Sequence, residues 1–182
     1  GFHTELETVY EEKNMSLTRD FRKALETLDG MLFPDHPYGT QTVLGTQEHL
    51  KNPSITNIKN YHKTYYVPNN IAICLSGDFD PDEMVSIIEK YFGQMEPNKE
   101  LPQLKLETKS VIETPQEKDV YGLDAETLMM GWKYPGAGTD EALVASVVSY
   151  ILYNGSAGLI DLNINQQQKV LGAQSEAYTR PD

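Results

Sequence analysis

Tyr65-Tyr66-Val67-Pro68-Asn69-Asn70-Ile71-Ala72-Ile73-Cys74-Leu75-Ser76-Gly77-Asp78-Phe79-Asp80-Pro81-Asp82-Glu83 is the stretch whose reading decides the fold. Pro68 closes a helix, and the two asparagines after it are turn residues. Ile71, Ile73 and Leu75 then alternate with Ala72, Cys74 and Ser76, the pattern of a buried strand with Cys74 as a small core residue. Asp80 fits the N-cap of a new helix, Pro81 its first position, and Glu83 the third-position carboxylate of a capping box. Helix, strand and helix within so short a span argue for a sheet packed against helices.

Upstream, Leu17, Phe21, Ala24, Leu25 and Leu28 recur at helical spacing, so one helix is expected from about Glu5 to Leu32, ended by Gly30 and Pro34. Residues 35–48 read as irregular. A second helix starts at Ser54, with Ile55, Ile58, Tyr61, His62 and Tyr65 on its apolar face. Downstream of Asp80, Met84, Ile87, Ile88, Tyr91 and Phe92 form the face expected to be buried, and Gly93 stops that helix. From Gln94 to about Lys118, Pro97, Pro102 and Pro115 with many charges mark a linker. Thr127–Trp132 reads as a central strand, and Thr139 caps a helix that Asn154-Gly155 closes. A short helix over Ser156–Asn165 and a strand over Val170–Tyr178 follow. Strand and helix do not alternate strictly, so the expected class is α+β rather than a doubly wound parallel sheet.

With 182 residues, 39% of them hydrophobic, the chain can fill a core. A net charge of −12 argues against a surface for phosphates, and nucleic acid is not an expected partner. The single cysteine excludes an internal disulfide and a cysteine-rich zinc site. No apolar run approaches the ~18 residues of a membrane span. No basic-then-apolar leader opens the sequence.

Glu5 and Glu12 are seven residues apart, two helical turns, so both carboxylates and Val9 between them project to one side of a helix. Only four residues precede Glu5, so the partner of that face is expected to lie outside this chain. On their own, two such glutamates are usually solvated.

Four motifs in order give the pair meaning: Glu5-x-x-x-Val9-x-x-Glu12, His36-Pro37-Tyr38-Gly39, Tyr-Tyr-x-Pro-Asn-Asn at 65–70, and Gly77-Asp78-Phe79-Asp80-Pro81. Together they resemble the insulinase/pitrilysin family of zinc metallopeptidases, the family with the inverted zinc motif. The Gly155-Ser156 turn, the Leu159–Leu162 helix and Leu171-Gly172 are similar to the opening of that family's next domain. The resemblance implies two partial domains, each a mixed or antiparallel sheet packed against helices. Residues 1–100 would be the C-terminal half of the zinc-site peptidase domain, 101–118 a linker, and 119–182 the N-terminal half of the following homologous domain.

In that family a His-x-x-Glu-His helix supplies two zinc ligands and the general base, and a later glutamate is the third ligand. Glu12 matches the third ligand, and Glu5 an acidic residue that supports the site by holding a ligand histidine. The resemblance therefore implies Zn2+ in a longer parent protein, a zinc-dependent metalloendopeptidase acting on a peptide or unfolded protein. This sequence departs from the pattern. It has no His-x-x-Glu-His, and His3, His36, His49 and His62 are thirteen or more residues apart. The isolated chain is therefore expected to be inactive and to hold no zinc. Where relatives carry a substrate-facing Arg and Tyr seven positions apart, it has Gln166 and Ala173. The alternative is a non-catalytic assembly or peptide-binding subunit of the same family. Other expected partners are the remaining domains of the parent and, through uncovered sheet edges, a second copy of the chain. Nothing in the sequence distinguishes bacterial periplasm from cytoplasm.

Overall fold

The computed structural model describes residues 1–103 and 111–180. Helices are α1 (Phe2–Leu17), α2 (Asp20–Leu32), α3 (Pro37–Thr40), α4 (Gln47–Lys51), α5 (Ile55–Tyr65), α6 (Pro81–Phe92) and α7 (Asp140–Leu152), with a 3-10 turn at Pro68–Asn70 and a π-helical turn at Asp161–Asn165. The chain divides into two compact units. One comprises Gly1–Tyr10 and the described part of Gly45–Lys105; the other comprises Glu11–Leu44 and the described part of Leu106–Asp182.

The sequence signals for helix ends are met by side chains. Ser54 Oγ accepts from Asn57 N at 3.2 Å to open α5. Asp80 Oδ1 accepts from Asp82 N and Glu83 N, both at 2.9 Å, and Pro81 stands at the first position of α6. Thr139 Oγ1 accepts from Ala142 N at 3.2 Å to open α7. Each satisfies amides that a helix start otherwise leaves unpaired.

Two expectations about helices are corrected. The single helix over 5–32 is two, because Thr18 N and Arg19 N turn back to Met15 O and Ser16 O, and Thr18 Oγ1 also donates to Met15 O at 2.7 Å. These three-residue closures end α1, and extended Arg19 (φ −92°, ψ 113°) restarts the chain as α2. The stretch expected to be irregular holds α3 and the start of α4, the latter capped by Thr46 Oγ1, which accepts from His49 N at 3.2 Å.

The α+β class is overturned. Among the described residues the regular elements are all helical, and no strand forms at 71–76, 127–132 or 170–178. Apolar alternation shows that a segment suits a sheet, but a strand exists only where a second segment supplies ladder bonds. Ile71 has the extended geometry of a strand (φ −124°, ψ 137°), yet no ladder forms on it among the described residues. Among the described residues, isolated bonds take the place of a ladder. Asn69 Nδ2 donates to Asn98 O at 2.8 Å while Asn98 N donates to Asn69 Oδ1 at 3.0 Å. Asn165 pairs likewise with the backbone of Ala173, at 2.8 and 2.9 Å. Ala137 N donates to Arg180 O at 2.7 Å.

With no sheet among the described residues, several apolar side chains stay open. Ile87, Tyr91 and Phe92 of α6 are exposed, as are Ile71, Ile73 and Leu75. Cys74, expected in the core, is exposed too. Among the described residues of its unit, Val67 is the buried apolar one. In the other unit, α2 packs on α3 at Gly39, where a Cβ would overlap the carbonyl oxygens of Asp29 and Phe33.

Candidate functional site

Helix α1 is continuous across Glu5 and Glu12. Glu5 sits in its first turn, where a carboxylate suits the positive end of the helix dipole, and its N–H donates to Gly1 O at 3.1 Å. Both glutamates are exposed. Lys13, the next residue after Glu12, turns inward instead. Only 6% exposed, it lies 3.6 Å from Glu26 Oε1 and donates to Thr42 Oγ1 at 3.4 Å. Successive residues on a helix are about 100° apart, so burying Lys13 leaves Glu12 facing solvent.

A catalytic zinc takes three protein donors and leaves one position open. Among the described residues no group of three His, Cys, Asp or Glu side chains comes together as a metal requires. His36 is buried as the N-cap of α3, its Nδ1 accepting from Tyr38 N at 3.2 Å. His62 stacks on Tyr66, with centroids 4.5 Å apart and planes 11° apart. His3 packs edge-on against Phe2, and His49 is exposed within α4. The residues present do not by themselves fit a zinc centre, and Glu12 offers one donor.

The remaining motifs serve architecture. His36 O accepts from Gly39 N at 3.0 Å and Thr40 N at 3.1 Å, and the His36 and Tyr38 rings lie 4.2 Å apart, so His36-Pro37-Tyr38-Gly39 is a packed turn. In the Tyr65–Asn70 run, Asn70 Nδ2 donates to Tyr65 O at 2.9 Å and Asn69 holds Asn98. The Asp80 carboxylate is committed to its cap. Gln166 Nε2 donates to Ser156 O at 3.2 Å, and the Ala173 backbone is held by Asn165.

Three polar anchors carried no sequence signal. Asp20 accepts from Asp124 N at 2.7 Å, from Lys23 Nζ at 2.9 Å and, by a short bond, from Leu123 N. The Asp124 amide foremost, then Lys23, hold its carboxyl below the ordinary value. Asp161 is 5% exposed and accepts from Asn154 N at 3.1 Å and Gly158 N at 3.0 Å. Burial alone pushes its carboxyl up, but the amides of Asn154, Gly158, Ser156 and Gly155 outweigh this and leave it lowered. Arg180 donates from Nη2 to both oxygens of Asp29, at 3.0 and 3.1 Å. Its guanidinium also lies 4.5 Å from the Tyr38 centroid. A hydrophobicity pattern does not reveal such pairs, since the partners are far apart in sequence or hidden in turns.

Comparison with known proteins gives the family. The family described as "Peptidase M16 inactive domain" matches residues 54–180, a span that begins after Glu5 and Glu12. An uncharacterized zinc protease of Mycobacterium leprae is 36% identical over 62 residues, 34% of this chain and 14% of the relative. A probable mitochondrial-processing peptidase subunit beta of Schizosaccharomyces pombe is 32% identical over 73 residues, 40% of this chain and 16% of the relative. The zinc protease PqqE of Helicobacter pylori is 23% identical over 143 residues, 74% of this chain and 31% of the relative. The chain thus spans less than a third of the length of these relatives. The insulinase-like family resemblance of the chain is confirmed, with residues 54–180 carrying the match.

Proposed function

Because this chain belongs to the peptidase M16 family, we propose that it is part of a zinc-dependent metalloendopeptidase that hydrolyses peptide bonds in peptides or unfolded proteins. The observation that carries this reading is the family match together with two relatives named zinc proteases. Glu12, exposed on α1, is the chain's contribution to the metal, with Glu5 supporting a ligand imidazole. The imidazoles and the general base come from another segment of the longer protein. The chain by itself is inactive, since one carboxylate does not replace three converging donors. The test is zinc content and peptidase rate of the longer protein carrying Glu12→Gln. Both are expected to fall; an unchanged metal stoichiometry removes Glu12 from the site.

A second reading, a non-catalytic assembly or peptide-binding subunit, is favoured by the word "inactive" in the matched family's description and by a relative named as a subunit. A longer protein that binds no zinc yet retains a peptide partner decides for this reading. Association of this chain with a second copy is part of the proposal. A particle that stays monomeric by light scattering at high concentration counts against it.

A further inference from the structure

We propose that Asn154-Gly155 is a self-modification site, where the backbone nitrogen of Gly155 closes on the Asn154 side-chain carbonyl carbon and expels ammonia. Of all the asparagines in the sequence, only Asn154 precedes a glycine. That matters because the attacking nitrogen belongs to the following residue, and a side chain there crowds the ring closure. At Gly155 nothing lies within 4 Å of where a Cβ would stand, and φ is +80°, a conformation that suits glycine. Both residues are exposed, so water reaches the product.

The carbonyl is also prepared. Asn154 Oδ1 accepts from Ala157 N at 2.9 Å and Ser156 N at 3.2 Å. Two amides aimed at this oxygen stabilise the negative charge that builds on it when nitrogen adds to the carbon. The nucleophile is already tethered one bond from the asparagine, so no encounter entropy is lost.

The atoms balance without an oxidant or reductant. A bond forms between Gly155 N and Asn154 Cγ, and the Cγ–Nδ2 bond breaks. The proton from Gly155 N leaves with Nδ2 as ammonia, and a five-membered succinimide remains. Water then opens the ring at either carbonyl, giving aspartate or isoaspartate. Isoaspartate lengthens the main chain by one methylene and shifts Asn154 N from Asp161 Oδ2, which it meets at 3.1 Å. The change also removes the bond from Asn154 Nδ2 to Tyr150 O at the end of α7. The turn between α7 and the π-helical segment therefore loosens with age.

The test is incubation of the chain in oxygen-18 water at mildly alkaline pH, followed by peptide mapping and isoaspartyl methyltransferase labelling. One heavy oxygen and the isoaspartate label are expected in the Asn154 peptide, at least about tenfold ahead of any other asparagine. Asn154→Gln abolishes both signals, and helicity by circular dichroism verifies that this variant is folded. Label spread evenly over the asparagines overturns the proposal. So does an intact Asn154 in the folded chain under conditions where the urea-unfolded chain converts it.

Discussion

Replacing Arg180 with methionine removes a charge while keeping most of the side-chain stem. In the native chain Nη2 of Arg180 donates to Asp29 Oδ1 at 3.0 Å and Oδ2 at 3.1 Å, and the guanidinium lies 4.5 Å from the Tyr38 centroid and 5.2 Å from that of Phe33. The side chains of the pair are 24% and 23% exposed, so solvent screens it, and it contributes about 1 kcal/mol. Stacking on Tyr38 adds roughly 0.5–1 kcal/mol. Arg180→Met is therefore expected to cost about 2 kcal/mol, a roughly 30-fold shift in the opening equilibrium. Urea unfolding measures this directly. Hydrogen exchange at the amides of Gly39 and Thr40, which bond to His36 O, localises it to the α2–α3 corner. A cycle with Asp29→Asn separates the ion pair from the stacking and should return a coupling of about 1 kcal/mol. A variant within about 0.5 kcal/mol of the parent, or an additive cycle, refutes the reasoning.

Gly39→Ala places a Cβ on the carbonyl oxygens of Asp29 and Phe33, backbone atoms that do not yield cheaply, and should cost about 1–3 kcal/mol in denaturant unfolding. Asp20 has a carboxyl lowered chiefly by the Asp124 amide. Its stabilising effect is complete above the unfolded aspartate pKa of about 3.9 and is lost as pH falls through the lower folded value. Asp20→Asn should flatten the acid limb of the stability curve, and an unchanged limb would exclude this role. Asn98→Ala removes the bonds from Asn98 Nδ2 to Thr64 O and from Glu100 N to Asn98 Oδ1, while the backbone pair with Asn69 survives. A loss of about 1 kcal/mol is expected, with exchange protection kept at the Asn98 amide and reduced at that of Glu100.

The readings that held rest on interactions spanning a few residues. Ser54, Asp80 and Thr139 cap their helices because each side chain reaches amides two or three positions ahead, so the sequence window contains the whole interaction. His36-Pro37-Tyr38-Gly39 was legible as a turn for the same reason. Readings that needed a distant partner failed or could not be made. The break at Thr18 is a local exception, made by closures three residues back, and it was hidden by an apolar stripe that by itself suggested one helix. Asn69 with Asn98 and Asp29 with Arg180 join positions 29 and 151 residues apart.

The candidate site divides in the same way. Motif order pointed to the family and made Glu12 a candidate metal donor, while three-dimensional placement brings no three His, Cys, Asp or Glu side chains together among the described residues and commits His36 and His62 to local packing. By itself the amino-acid sequence determined the family, the capped starts of α5, α6 and α7, and the turn at His36–Gly39, because these depend on neighbours along the chain. Whether Ile71–Ser76 is a strand, and whether α6 has a covered face, was decided only by tertiary structure. Ladder bonds and apolar burial belong to pairs of segments, and a single segment does not specify the second member.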